Sequence, residues 1–198
     1  MSHDVPWKDY VEKTAGRPPR PLLVEALKYV QNKGDALDLG AGALNDSKYL
    51  LSLGFQSVTA VDMEPASKEK AKEISLGGFS FVMTTYDKFK FPKEGYDLVN
   101  AQYALPFNPP GTFTTVIEKI IASLRPNGVF IGQFFGTRDS WNVKDSGKTF
   151  HTLEEAKKHL LSLEVIEFVE EEQDKETALG TMKHWHVFHF IAIKPLEV

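Results

Sequence analysis

An acid and two closely spaced glycines carry the first hint of chemistry: Asp38-Leu39-Gly40-Ala41-Gly42, continued by Ala43-Leu44-Asn45-Asp46. Glycine lets a backbone approach a ligand closely and adopt conformations that a Cβ forbids. A helix starting near Asn45 turns its unsatisfied N–H groups toward the same spot. About 20 residues further on, Ser57-Val58-Thr59-Ala60-Val61 ends on a second acid, Asp62. A carboxylate at the tip of a neighbouring strand is placed to accept hydrogen bonds from a ribose diol. Together these residues describe a nucleoside pocket. Plain turn glycines are the alternative, and the two acids count against it.

The elements that must position these residues alternate. Pro21 can open a helix at its first position, and residues 22–32 repeat apolar side chains at helical spacing until Lys33-Gly34. A strand leads into Asp38. A helix runs from Asn45 to Leu53, stopped by Gly54; strand 57–62 follows, then a helix from Pro65 to about Ile74. Phe79 to Thr84 and Tyr96 to Gln102 read as the third and fourth strands. After a loop at Pro106–Gly111, Thr112 to Leu124 sets Phe113, Val116, Ile117, Ile120, Ile121 and Leu124 on one helical face. Arg125-Pro126-Asn127-Gly128 reads as a turn into a fifth strand, Val129 to Phe135. This alternation implies an α/β, doubly wound parallel sheet. The remainder differs: a polar loop 136–152, a short helix 153–163, a strand 164–172, a charged connector Gln173–Thr181 and a last strand at about 184–194. Two strands joined without a helix imply an antiparallel pair at one edge.

The 198 residues fit one domain, and 42% hydrophobic with 25% charged residues is ordinary globular composition. A net charge of -4 argues against a nucleic-acid partner, which calls for a basic field. With no cysteine, disulfides, thiolate zinc sites and a cysteine nucleophile are excluded. No apolar signal core lies in Met1–Lys8 and no run of about 18 apolar residues occurs, so a cytoplasmic protein with no membrane segment is the simplest reading. His184-x-His186 with His189 does not make a metal site on a strand, because His189 points to the other face. Trp185, Val187, Ile191 and Ile193 read as core, and Glu170-Glu171-Glu172 as a solvated face.

The order of these elements, Asp38-x-Gly40-x-Gly42, Asp62, Tyr96-Asp97-Leu98-Val99 and Leu124-Arg125-Pro126-Asn127-Gly128 together resemble the class I S-adenosylmethionine (SAM)-dependent methyltransferases. The short N-terminal lead with Tyr10 and the absence of an inserted domain are similar to the tellurite-resistance and thiopurine branch. The resemblance implies a Rossmann-like methyltransferase fold: a mostly parallel seven-stranded sheet with an antiparallel last strand beside the fifth. It implies one domain over 1–198, with 1–20 covering the cofactor or substrate, 21–135 as the SAM-binding core and 136–198 on the substrate side. Leu44 stands where the family often has a third glycine, and Asn45 where a dinucleotide fingerprint wants one. The first is a departure from the family's own pattern; the second counts against a resting pyrophosphate.

By the same resemblance SAM is the cofactor. Its methionine moiety faces the backbone of Gly40, Ala41 and Gly42, its ammonium group lies by Asp38, its ribose by Asp62, and its adenine by Met63, Tyr86 and Asp87. Gln102 follows strand four, where backbone groups hold the methionine carboxylate, and Tyr10 and Arg17 could close over the cofactor. Tyr103, Arg138, Trp141 and His151 are the substrate candidates. No catalytic residue is nominated, since an acceptor with a free lone pair needs no strong base. Asn100-Ala101-Gln102-Tyr103 departs from the Asn/Asp-Pro-Pro-Tyr signature of amide methyltransferases, which argues further against nucleic acid. A small-molecule acceptor is favoured, with a protein side chain as the other possibility. A SAM-binding module without turnover and an NAD-dependent oxidoreductase are the alternative classes.

Overall fold

The structure, a computed structural model, describes residues 6–196; the reading of Met1–Val5 and the extreme ends of the expected 1–198 domain lie outside the described residues. Helix α1 (Trp7–Thr14) precedes α2 (Pro21–Ala26), which starts on its proline. The expected helix over 22–32 is shorter, because hydrogen bonds from Lys28 N to Glu25 O and Tyr29 N to Ala26 O tighten the chain into a 3-10 turn. Four parallel strands follow, β1 (Asp35–Leu39), β2 (Ser57–Asp62), β3 (Phe79–Met83) and β4 (Tyr96–Ala101), with α3 (Asn45–Ser52) and α4 (Pro65–Ala71) between the first three. A 3-10 turn, Leu105–Phe107, sits in the expected loop, and α5 is Pro110–Ser123. Then come β5 (Leu124–Gly136), the two-residue β6 (Phe150–His151), α6 (Leu153–Lys158), β7 (Glu164–Glu176) and β8 (Met182–Ile193).

The sheet order is β3-β2-β1-β4-β5-β8-β7, with β6 paired to the end of β5. Strand β8 runs antiparallel to both β5 and β7, so the fold is the doubly wound, mostly parallel sheet that the resemblance implied, with the short β6 added. Alternation along the strands splits the core in two. Phe130 and Phe134 of β5 join Phe188 and Phe190 of β8 under Phe113, Val116 and Ile120 of α5. Val129, Ile131 and Ile191 face the other way, against Leu23 and Ala26 of α2 and Leu50 of α3.

Two local expectations change. Residues 125–128 do not end an element: they are a bulge inside β5, between the pairs Tyr96↔Leu124 and Leu98↔Val129. Asn127 keeps the turn chemistry at φ 63, while its N–H donates to Lys194 O at 2.8 Å. The first four residues of the expected connector at Gln173–Thr181 are strand, since β7 and β8 pair out to Glu176↔Met182, and 177–181 make the turn. Charged residues tolerate that edge because alternate ones find partners across the hairpin, as described below.

Candidate active site

The carboxyl ends of β1, β2 and β4 meet at the glycine loop. Gly40 N and Ala41 N both donate to Val61 O, at 2.8 and 3.2 Å, which ties the loop to β2. Gly40 has φ +67, and a Cβ there would stand 2.6 Å from Ala104 Cβ and 2.7 Å from the Tyr86 hydroxyl. A side chain would fill this cradle. Gly42 has φ +51 and lies under Tyr10, whose Cε1 is 3.6 Å from the position of a Cβ. Leu44 takes φ 63, ψ 21 as the N-cap of α3, so the loop keeps a glycine-like turn at a fully buried leucine.

Asp62 sits across this loop. Its Oδ2 accepts from Gly42 N and its Oδ1 from Glu64 N, both at 2.8 Å. Each oxygen keeps a second lone pair that a diol hydroxyl can reach. Burial pushes the carboxyl up, and the backbone N–H groups of Glu64 and Gly42 oppose that. Tyr86 is pushed up by burial, then by the Asp62 and Asp38 carboxylates. Met63 is 62% exposed, and Asp87, on the loop after β3, is also exposed. A flat base can lie against the one and reach the other.

Asp38 is buried in a polar network. Its Oδ2 accepts from Ser47 Oγ at 2.5 Å and its Oδ1 from Asn100 Nδ2 at 2.9 Å. Asn100 Nδ2 also donates to Asp46 Oδ2 at 3.2 Å, and Gln102 Nε2 donates to Asn100 Oδ1 at 2.9 Å. Burial, then the neighbouring Asp46 carboxylate, raises Asp38 to about 7, against the hydrogen bonds from Ser47 and Asn100. Arg20 faces both acids. Its backbone N–H donates to Asp46 Oδ1 at 3.0 Å, its Nη1 to Asp46 Oδ2 at 3.4 Å, and its Nη2 to the Tyr10 hydroxyl at 2.9 Å. The guanidinium is held charged: burial lowers its pKa, but Tyr10, Asp46 and Asp38 raise it by more.

The expected residues therefore separate. Tyr10, Asp38, Gly40, Ala41, Gly42, Asp62, Tyr86 and Gln102 lie around one loop, while Met63 and Asp87 are exposed one residue beyond Asp62 and Tyr86. Arg17 does not join them: it is exposed on the turn after α1, and Arg20, three residues on, faces the network instead. Tyr103, at φ 53, donates its N–H to Gln133 Oε1 at 2.7 Å and turns its ring to Trp185 at 6.0 Å. Trp141 is 5.5 Å from the same Trp185. Trp185 is half-buried in this aromatic group and not in the core.

Arg138 lies on the opposite face, since Trp185 and His186 alternate along β8. Its backbone N–H donates to His186 Nδ1, and its guanidinium pairs with Glu170 and Glu172 at 2.8 and 2.7 Å. Glu170 and Glu172 are therefore partners, not a plain solvated face, and His184 pairs with Glu172 and Asp174. His151 packs among Phe113, Phe134 and His159 beneath α5 and α6, away from the glycine loop. Among the described residues no group of three His, Asp or Glu side chains could hold a metal, and no helix is long and apolar enough to cross a membrane.

Sequence reasoning missed Arg20, Asp46 and Asn100. The signals were present: Arg20 is the N-cap of a proline-led helix, and Asp46 lies in the first turn of α3. What joins them is tertiary.

Residues 36–128 match the family model described as a methyltransferase domain. No curated protein matches the chain. Among solved structures, TehB from Haemophilus influenzae superposes with a TM-score of 0.74 at 19% identity, covering 95% of this chain and 67% of that one. A SAM-dependent methyltransferase from Methanosarcina mazei gives 0.67 at 20% identity, covering 91% and 100%. The 1,6-didemethyltoxoflavin-N1-methyltransferase of Burkholderia thailandensis, with its substrate and S-adenosylhomocysteine bound, gives 0.66 at 20% identity, covering 89% and 78%. At these identities the likeness is one of fold. The matched domain, however, spans the strands that carry Asp38, Asp62 and Asn100, so residues 36–128 are a methyltransferase domain within the class I SAM-dependent methyltransferase fold.

Proposed function

We propose that the chain is one methyltransferase domain that moves the methyl group of SAM to a small-molecule acceptor, with residues 1–20 covering the cofactor and 136–198 on the acceptor side. The observation that carries this reading is the pairing of the Gly40 cradle with two carboxylates, the buried Asp38 and the half-buried Asp62, at opposite ends of one loop. Asp62 takes the ribose hydroxyls, Met63 and Asp87 the adenine with Tyr86 behind them, and Asp38 the ammonium group. Arg20 is the cation for the methionine carboxylate, supported by Tyr10 above Gly42 and by Gln102 below. In the transfer, an acceptor lone pair bonds to the methyl carbon as the carbon–sulfur bond breaks onto sulfur, and a neutral acceptor then loses its proton to solvent. The protein contributes position and the exclusion of water.

A small acceptor suits the acidic net charge of -4 and the aromatic surroundings of Tyr103 and Trp141. The Burkholderia enzyme, whose name gives a small-molecule substrate, is a precedent on this fold. Titration calorimetry with SAM and S-adenosylhomocysteine tests the donor side. Asp62→Ala is expected to weaken binding by about 1–3 kcal/mol. An unchanged dissociation constant removes Asp62 from the site. S-adenosylhomocysteine release on a panel of acceptors tests turnover, and its absence with every acceptor class would favour a binding module.

A further inference from the structure

On the acceptor side, six aromatic rings and one guanidinium form a closed circuit. Tyr10 meets Trp7 edge-on with centroids 5.8 Å apart, and Trp7 meets Phe107 at 4.7 Å. Phe107 meets Trp141 at 5.9 Å, Trp141 meets Trp185 at 5.5 Å, and Trp185 meets Tyr103 at 6.0 Å. Arg20 completes the circuit, with its guanidinium 5.8 Å over the Tyr103 ring and its Nη2 bonded to the Tyr10 hydroxyl. These rings come from α1, the turns after β4, the loop after β5, and β8. Phe135 forms a floor, 5.8 Å from Phe107 and 6.0 Å from Trp185.

Ordinary core packing does not account for this group. The core phenylalanines Phe130, Phe134 and Phe135 are fully buried, whereas all six rings of the circuit are half-buried and keep accessible surface. Scattered surface aromatics would not close into a circuit. The circuit also abuts the donor loop, because Tyr10 covers Gly42 and Tyr103 directly follows Gln102. Lys183 Nζ lies over Trp185 and Trp141, at 4.0 and 4.5 Å, and Lys148 Nζ over Trp141 and Phe107, at 5.5 and 5.8 Å, so a guest would pack on the ring surface that these cations leave accessible. Among the described residues, the carboxylates at the circuit already have partners: Asp46 pairs with Arg20, Asp139 with Lys183, and Glu171, whose charge acts on Tyr103, with Gln173 and His189.

We propose that this circuit is the acceptor pocket and that the acceptor is a planar aromatic small molecule, held by stacking and edge contacts beside the methyl donor. The proposal rests on the donor reading above. Its test compares shape at matched size: 2-naphthol and the saturated decahydro-2-naphthol are titrated into protein saturated with S-adenosylhomocysteine. The planar probe is expected to bind roughly tenfold more tightly, the sum of one or two aromatic contacts. Trp141→Leu and Trp185→Leu should each erase most of that preference and leave S-adenosylhomocysteine affinity unchanged. Equal affinity for the two probes, no binding of either, or a preference that survives both substitutions overturns the proposal. Failure of S-adenosylhomocysteine itself to bind overturns the donor reading instead.

Discussion

Asp38 concentrates the electrostatics of the proposed donor site in one group. Its carboxyl is raised from 3.8 to about 7 by burial and by Asp46. The folded chain therefore holds a proton that the unfolded chain releases, and this group makes stability fall as pH rises from 3.8 through about 7. A cationic ammonium beside Asp38 favours the ionised form, so donor binding below about 7 must expel the proton. S-adenosylhomocysteine affinity is expected to fall as pH drops from 8 to 6, by up to about tenfold per unit for one proton. Asp38→Asn should bind weakly with a flat profile. Calorimetry at several pH values checks this, and a flat wild-type profile would separate Asp38 from the ammonium group.

Between β5 and the terminal hairpin, β6 and α6 carry a different titration. Helix α6 opens with a capping box in which Thr152 and Glu155 exchange hydrogen bonds, a pattern that the Thr-Leu-Glu-Glu sequence anticipates. His151, one residue earlier, is buried against Phe113 and Phe134, with His159 beside it. Burial, then the His159 charge, lowers His151 to about 4, while Glu155 opposes the shift. A histidine lowered in the fold keeps its full contribution above its ordinary 6.5 and loses it as pH falls toward 4. The loss reaches up to about 3 kcal/mol. His151→Leu should reduce the drop in melting temperature between pH 7 and pH 5; an unaltered drop would assign the acid sensitivity elsewhere.

Across the whole molecule, the loop after β5 is locked to the terminal hairpin by one buried ion pair. Asp139 and Lys183 are both buried and bonded to each other, and Asp139 also accepts from Trp141 N at 2.9 Å and His186 N at 3.2 Å. Lys183 Nζ lies 4.0 Å over the Trp185 ring and 4.5 Å over Trp141. Lys183→Met alone leaves a buried carboxylate without its cation, at a cost of about 3–5 kcal/mol. Asp139→Asn combined with Lys183→Met should recover much of that. Denaturant unfolding of the single and double variants measures the coupling. Additive effects would mean that the pair does not anchor the loop.

The amino-acid sequence by itself determined the alternating architecture, the glycine loop and the two acids that flank it, because helix caps, strand patterning and glycine turns are local. It also contained the bulge at Asn127 and the strand character of Gln173–Glu176 beyond the expected strand 164–172, but in forms that read as a turn and a connector until the partner strands are known. Only the tertiary structure decided which arginine matters. Arg17 and Arg20 have the same chemistry in the sequence, and the packing of α2 against the sheet turns Arg20 toward Asp46 and leaves Arg17 in solvent. It likewise decided that Arg138 and His151 face away from the glycine loop while Trp7, Phe107 and Trp185 join Trp141. Side-chain direction on a strand flips with each residue, and rings far apart in the chain meet only when the sheet is assembled.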